Sequence, residues 1–153
     1  MKPPSFEYVR PKTVDEAVEA LARASELDPH DATRIVRHAF ALHAAGRRRE
    51  AGARLGDAAR AWPPGEPFPH AGALGVLLYD LGDREAARPW LERSAPPDGD
   101  LADAKLRLAR LELAAGRDDA ARAAVELARS ADPARVAALA GDPELGRLVD
   151  GGR

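Results

Sequence analysis

The chain of 153 residues contains no cysteine. This absence excludes disulfide bonds, thiolate metal sites and cysteine nucleophiles, and it leaves the redox compartment open. Aromatic residues are also scarce, at 5% of the sequence, whereas hydrophobic residues make up 45% and many of them are alanine. Such a composition favours helices that pack closely over a core built from large side chains.

Neither sign of charge is in large excess, because 23 Lys and Arg residues oppose 25 Asp and Glu residues, which gives a formal net charge of −2. There is thus no overall electrostatic indication of a nucleic-acid or anionic-membrane partner. Arginine is far commoner than lysine, with 20 against 3. We interpret this imbalance as the coding bias of a GC-rich bacterial genome.

Long hydrophobic runs are missing as well. The longest apolar run covers the nine residues 71–79 and includes two glycines, which is too short to span a bilayer. Residues 1–12 hold three prolines and no apolar core of signal-peptide length, so we predict an extended N-terminal segment there. A cytoplasmic protein is the simplest expectation.

A regular repeat occupies most of the chain. Three glycines suited to ending a helix recur after 36 and 34 residues, at Gly46, Gly82 and Gly116. Prolines that stop the following helices recur after 34, 34 and 36 residues, at Pro29, Pro63, Pro97 and Pro133. A period near 34 residues is the length of a two-helix unit, and one such unit cannot bury its apolar face alone. The spacing therefore predicts an all-α fold of stacked helix pairs.

A small–large–small pattern marks the second helix of each pair, because small residues let helix axes approach closely while large residues fill the gaps. The four sets are Ala17/Leu21/Ala24, Ala51/Leu55/Ala58, Ala87/Leu91/Ser94 and Ala121/Val125/Ala128. The predicted organisation is an extended segment at 1–12, a lone helix at 13–27, repeats at 31–63, 68–97 and 100–133, and capping helices at 134–150.

Local signals predict where individual helices begin. Thr13 and Glu16 have the spacing of a capping box, in which each side chain accepts a hydrogen bond from the backbone N–H of the other residue. Asp31 is the predicted N-cap of the next helix. Pro89 falls inside a predicted helix and should weaken or kink it, because proline lacks an N–H.

The repeat resembles the tetratricopeptide repeat family over residues 13–133. The segments that carry the resemblance are DEAVEALARASELDP, AGRRREAGARLGDAARAWP, LGVLLYDLGDREAARPWLERSA and LARLELAAGRDDAARAAVELARSADP. The resemblance implies a right-handed superhelical α-solenoid of antiparallel helix pairs that acts as a non-catalytic protein-binding module. The large aromatic residue that the family has in its first helix is missing, since Ile35, Ala71 and Lys105 stand at those positions.

In such a solenoid the concave groove is lined by the first helix of each pair. The residues predicted to line it are Val36, Arg37, Phe40, His43, Val76, Tyr79, Leu106, Arg107, Arg110 and Leu113, with Gly72 and Asp80 beside them. This groove lacks the lysine/asparagine clamp with which some family members hold a terminal carboxylate. We expect it to bind an amphipathic helix or an extended segment of a protein partner, anchored on Phe40 and Tyr79. The alternative is that the groove is filled by the same chain, either by Phe6, Tyr8 and Val9 or by the C-terminal tail, residues 133–149.

A second resemblance covers only the start of the chain. MKPPSFEYVRPKTVDEAVEALA is similar to the opening of the flavin-binding medium subunits of molybdenum hydroxylases, in which FEYVRP would be a strand. The glycine-rich flavin loop that should follow is absent, so the resemblance implies no flavin-binding residue and we expect no cofactor. Two alternative functions stay open: an accessory piece of a molybdenum hydroxylase, and a self-associating scaffold that forms a homodimer.

Catalytic and metal-binding motifs are missing. His38 lies on the packed face, where we expect a buried neutral imidazole with one hydrogen bond. His38 and His43 are five residues apart, so they point in different directions on a helix. His30 and His70 lie at loop or helix edges, with no cluster of carboxylates at ligand spacing. We therefore predict neither a metal site nor an enzyme.

A basic cluster at residues 47–49, with Arg54 and Arg60, has two interpretations. It could bind phosphates or acidic peptides, or it could be the solvated start of a helix. We favour the second interpretation, because Glu50 and Asp57 lie among the arginines.

Overall fold

The computed structural model describes residues 12–28, 30–63 and 65–150. Over these ranges the chain forms nine α-helices and no strand, which confirms the predicted all-α class. The helices are α1 Val14–Leu27, α2 Ala32–Ala44, α3 Arg48–Ala61, α4 Ala71–Asp80, α5 Arg84–Arg93, α6 Leu101–Ala114, α7 Asp118–Ala131, α8 Pro133–Ala137 and α9 Gly146–Asp150. They belong to two compact units, Met1–Ala61 and Trp62–Arg153. The predicted extended segment lies outside the described residues except for Lys12.

In the first unit, α1 packs against α2 and α2 packs against α3. The predicted inward residues of α3, which are Ala51, Leu55 and Ala58, are all buried. The corresponding residues of α1 are only half-buried, while Val18 and Ser25 of that helix are buried instead. The helix α1 is less buried because, in the described part of the chain, it packs mainly against one neighbour, α2.

In the second unit, α6 lies at the centre and packs against α4, α5 and α7, and α7 carries the short helices α8 and α9. The predicted inward residues of α5 and α7 are buried. One core cluster joins α6, α7 and the tail, and a second joins α5 and α6. Gly75 explains the close approach of α4 and α5, since a Cβ there would lie 2.7 Å from Leu91.

The three predicted helix-ending glycines share one backbone geometry. Gly46, Gly82 and Gly116 have φ values of +76°, +91° and +72°. In each case the glycine N–H and the next N–H donate to carbonyls of the last helical turn, as in the pair Gly82 N to Tyr79 O and Asp83 N to Leu78 O at 3.0 Å. This is the Schellman arrangement, which satisfies carbonyls that the helix leaves without a partner.

The predicted N-caps are partly confirmed. The Asp31 carboxylate accepts from Arg34 N at 3.1 Å, as expected of an N-cap. Thr13 Oγ1 accepts from Glu16 N at 3.2 Å, but the Glu16 carboxylate accepts from Lys12 N at 2.7 Å. The capping-box prediction was therefore wrong in its reciprocal half, because the glutamate reaches one residue past the cap.

The helix α5 continues through Pro89 to Arg93, so the proline does not break it. Its C-terminal carbonyls have an unexpected partner. The buried ammonium of Lys105 on α6 donates to Leu91 O at 3.0 Å and to Glu92 O at 3.1 Å. Lys105, a residue of α6, thus caps the C-terminal end of α5.

An aromatic cluster covers the segment before α4. Phe68 lies edge-on to Trp62, with ring centroids 5.6 Å apart, and edge-on to Trp90 of α5, at 6.2 Å. This cluster contains both tryptophans of the protein. The tail forms α8 and α9 with a non-helical stretch between them.

Candidate functional site

A cleft of about 340 Å³ opens in the second unit, where the ends of α4 and α6 meet the start of α5 and the tail. Its lining residues are Tyr79, Arg84, Arg110, Leu111, Leu113, Ala114, Pro143, Glu144 and Arg147. Three of them, Tyr79, Arg110 and Leu113, are residues that the sequence predicts for a binding groove. We refer to this site as the second-unit cleft.

The Tyr79 ring lies close to two guanidinium groups. The Arg84 Cζ atom is 5.4 Å from the ring centroid and the Arg107 Cζ atom is 6.0 Å from it. Both distances are those of a cation–π contact. The ring is therefore held on the wall of the cleft by arginines from α5 and α6.

Arg110 links α6 to the tail. Its guanidinium donates to Asp142 Oδ2 at 2.6 Å and to Glu144 Oε2 at 2.5 Å. Burial lowers the pKa of Arg110, but these two carboxylates outweigh it and raise the pKa above its ordinary value. Tail residues, among them Glu144, thus form one wall of the cleft.

Asp142 is the fixed member of this contact. Its carboxylate also accepts from Leu145 N at 2.8 Å and from Glu144 N at 2.9 Å. The hydrogen bond from Leu145, helped by Arg110 and opposed by burial, lowers the pKa of Asp142. Leu145, three residues after Asp142, is fully buried in the core of α6 and α7. The tail is consequently anchored both by charge and by apolar packing.

The other arginines near the cleft differ in how far they are neutralised. Arg107 forms two hydrogen bonds of 2.9 Å with Asp80, so this predicted groove residue is already paired. Arg147 lies 3.7 Å from Asp118, and both side chains are exposed. In the described part of the chain Arg84 has no carboxylate partner. The free positive charge of the cleft is therefore concentrated at Arg84 and Arg147.

The remaining predicted groove residues do not join this cleft. Val36 is 5% exposed and Leu106 is 4% exposed, so both belong to the cores of their units rather than to an open surface. Val76 is half-buried against the core of α5 and α6. Gly72, expected beside the groove, is covered by Asp98, whose carboxylate accepts from Gly72 N at 2.5 Å.

The first unit carries the rest of the predicted set. Arg37, Phe40 and His43 are exposed on α2, together with the buried Val36. The predicted alternative occupants at residues 6–9 lie outside the described residues.

Sequence reasoning missed Arg84, Leu111, Pro143, Glu144 and Arg147. Arg84 follows the helix-ending Gly82 by two residues, so its place at the start of the next helix was a usable signal. The tail residues offered no comparable signal, because Glu144 reaches Arg110 across 34 positions of the sequence. Such a pair depends on helix packing.

Two polar features lie outside the second-unit cleft, His38 and the basic cluster of the first unit. His38 is buried as predicted, but its Nδ1 has no hydrogen-bond partner among the described residues. Burial, followed by the charges of Arg54 and Arg47, lowers its pKa below 6.5. In the basic cluster Arg47 pairs with Glu50 at 2.5 Å, and Arg54 and Arg60 both pair with Asp57, as the solvated interpretation expects.

Within the ranges that the structure describes, no group of three histidine or acidic side chains could hold a metal ion. No described helix is long and apolar enough to cross a membrane. Comparison with protein-family models and with curated proteins found no match to this chain.

Proposed function

We propose that this chain is a non-catalytic interaction module of tetratricopeptide type, and that the second-unit cleft holds a short segment of a partner protein. The observation that carries the proposal is the convergence of three predicted groove residues, Tyr79, Arg110 and Leu113, on one cleft. A cleft of about 340 Å³ is of a size that accommodates a few side chains of a peptide.

The repeat assignment is supported by local geometry that recurs with the period of the sequence. The same helix ending is found after α2, α4 and α6. The small–large–small residues are buried in α3, α5 and α7. Inside the second unit, α6 packs on both helices of the preceding pair, as a stacked repeat would require.

Binding fits the chemistry of the cleft better than catalysis does. Its polar lining consists of one phenol, three guanidinium groups and the carboxylate of Glu144, which is already bonded to Arg110. Acid–base or nucleophilic catalysis needs a reactive group beside a base that can take its proton. An aromatic ring flanked by arginines and leucines is instead typical of an anchor site for a partner.

Selection from a displayed peptide library tests the proposal directly. We expect the wild-type chain to enrich peptides whose affinity falls at least about tenfold in Tyr79→Ala, because the ring forms one wall of the cleft. Leu127→Ala is the control, since this exposed residue of α7 lies outside the cleft. Affinities would be measured by calorimetry, with circular dichroism to show that both variants keep their helices. Peptides that bind Tyr79→Ala as tightly as wild type would contradict the proposal.

A further inference from the structure

The charges that line the second-unit cleft do not cancel. Three guanidinium groups, those of Arg84, Arg110 and Arg147, line it together with a single carboxylate, that of Glu144. Arg84 has no carboxylate partner within the described ranges, and Arg147 has only a long, exposed contact with Asp118. A negatively charged group of an occupant could therefore accept hydrogen bonds from Arg84 and Arg147 without displacing a strong ion pair.

The two carboxylates on Arg110 are not equally replaceable. Asp142 is 14% exposed and also bonds two backbone N–H groups, so removing it would disrupt the tail. Glu144 is 61% exposed, and its carboxylate accepts a hydrogen bond from Arg110. Exposed ion pairs contribute little to stability, so Glu144 can exchange with another carboxylate at small cost.

The apolar part of the lining limits what else the occupant must carry. The buried Leu111 lines the cleft, together with Leu113, Ala114, Pro143 and the Tyr79 ring. These groups offer contact to an aliphatic or aromatic side chain. A bare anion would leave this surface without a partner.

We propose, on the basis of the function proposed above, that the occupant of the second-unit cleft is a polypeptide segment with an Asp or Glu side chain next to an apolar one. The carboxylate lies between Arg84 and the Arg110–Arg147 side, where it competes with Glu144 of the tail. The apolar side chain covers Leu113 and the Tyr79 ring. Glu144 thus acts as an intramolecular competitor of the partner.

A polypeptide fits the charge pattern better than a nucleic acid does. Nucleic-acid binding relies on many phosphate contacts along an extended basic surface. The positive region here is small, because carboxylates surround it. Asp80, Asp118 and Asp142 each contact an arginine in or beside the cleft. One or two acidic side chains match it more closely.

The composition of selected peptides tests this inference. We expect the peptides that depend on Tyr79 to be enriched in Asp or Glu adjacent to Leu, Ile, Phe, Tyr or Trp. Replacing their acidic residues by Asn or Gln should lower affinity at least about tenfold, the effect of losing a charge-assisted hydrogen bond. Binding should also weaken as salt rises.

Matched variants assign the charge to named residues. Arg84→Ala should weaken binding of the acidic peptides about tenfold. Arg93→Ala should not, although it too is an exposed α5 arginine over an aromatic ring, that of Trp90 at 5.5 Å. Glu144→Gln should strengthen binding about two- to fivefold, because the competitor loses its charge.

Glu126→Gln is the control for the competitor. Glu126 is 62% exposed and pairs with Arg129, outside the cleft, so its substitution should leave the affinity unchanged. Four results would each overturn the inference. They are Tyr79-dependent peptides without acidic enrichment, equal effects of Arg84→Ala and Arg93→Ala, no gain in Glu144→Gln, and Tyr79-dependent binding of an oligonucleotide in place of peptides. If no peptide depends on Tyr79, the proposed function fails as well.

Discussion

Lys105 and Glu112 are buried in the second unit, and each is held by groups from other elements. Lys105 bonds the last carbonyls of α5, and its pKa is lowered by burial, with Asp98 and Glu92 opposing the shift. Glu112 accepts hydrogen bonds from Arg117 and Arg88, and the bond from Arg117 is the main reason that its pKa is lowered. Since unpaired buried polar groups are costly, these contacts fix how α5 lies against α6.

We expect His38 to make the stability of the first unit depend on pH. Its pKa in the folded chain lies below 6.5, so the unfolded state binds more protons as the pH falls below that value. This contribution to the free energy of unfolding is fully present above pH 6.5, and it is lost as the pH falls towards the pKa of His38 in the folded chain. We expect urea unfolding, followed by circular dichroism, to show a lower free energy of unfolding at about pH 5.5 than at about pH 7.5, with a slope of at most about 1.4 kcal/mol per pH unit from this group.

The His38→Leu variant should lose this part of the pH dependence, because it removes the titrating ring while keeping an apolar side chain of similar size. His43→Leu, a change at an exposed histidine of the same helix, should keep the wild-type dependence. Equal pH profiles for His38→Leu and wild type would show that His38 is not the group responsible.

The elements of this protein are delimited by the same short signals each time. The helices α2, α4 and α6 all end at a glycine with positive φ, and each is followed at once by the next helix. An aspartate accepts from an early backbone N–H at the start of α2, α5 and α8. These contacts span only a few residues, so they define the helix ends before any packing is considered.

Alanine at the helix-ending glycines should destabilise the chain. Gly46→Ala, Gly82→Ala and Gly116→Ala should each lower the free energy of unfolding by about 1 kcal/mol, because a Cβ is strained at positive φ. The control is Gly99→Ala, at a loop glycine with ordinary φ and nothing within 4 Å of its Cβ position. Thermal unfolding of the four variants and the wild type measures the change in stability. A loss at Gly99 as large as at the other three would refute the explanation by backbone strain.

At the scale of the whole molecule, the chain consists of two compact units. The second contains its own core clusters, an internal helix contact network and the complete second-unit cleft. A unit with its own apolar core has what it needs to fold alone. All the lining residues of the cleft lie in this unit.

The fragment of residues 62–153 should therefore fold by itself and keep the peptide binding of the full chain. Both tryptophans lie in its aromatic cluster, so their fluorescence reports its unfolding directly. We expect a cooperative urea transition and peptide affinities within about twofold of those of the full chain. A gradual transition, or loss of binding in a folded fragment, would show that the cleft depends on the first unit.

The amino-acid sequence determined the helical class, the helix ends at Gly46, Gly82 and Gly116, and the buried stripes of α3, α5 and α7. These features follow from periodicity and from hydrogen bonds between residues a few positions apart, so they can be inferred without the packed structure. It also indicated Tyr79, Arg110 and Leu113 as groove residues, because they lie beside a buried stripe.

Only the tertiary structure decided which of these surfaces is open and which charges are free. It buries Val36 and Leu106 and pairs Arg107 with Asp80. It also brings Glu144 to Arg110 across 34 positions of the sequence. These outcomes depend on how whole helices pack against each other, and the spacing of residues along one helix carries no information about the charge that the next helix will bring.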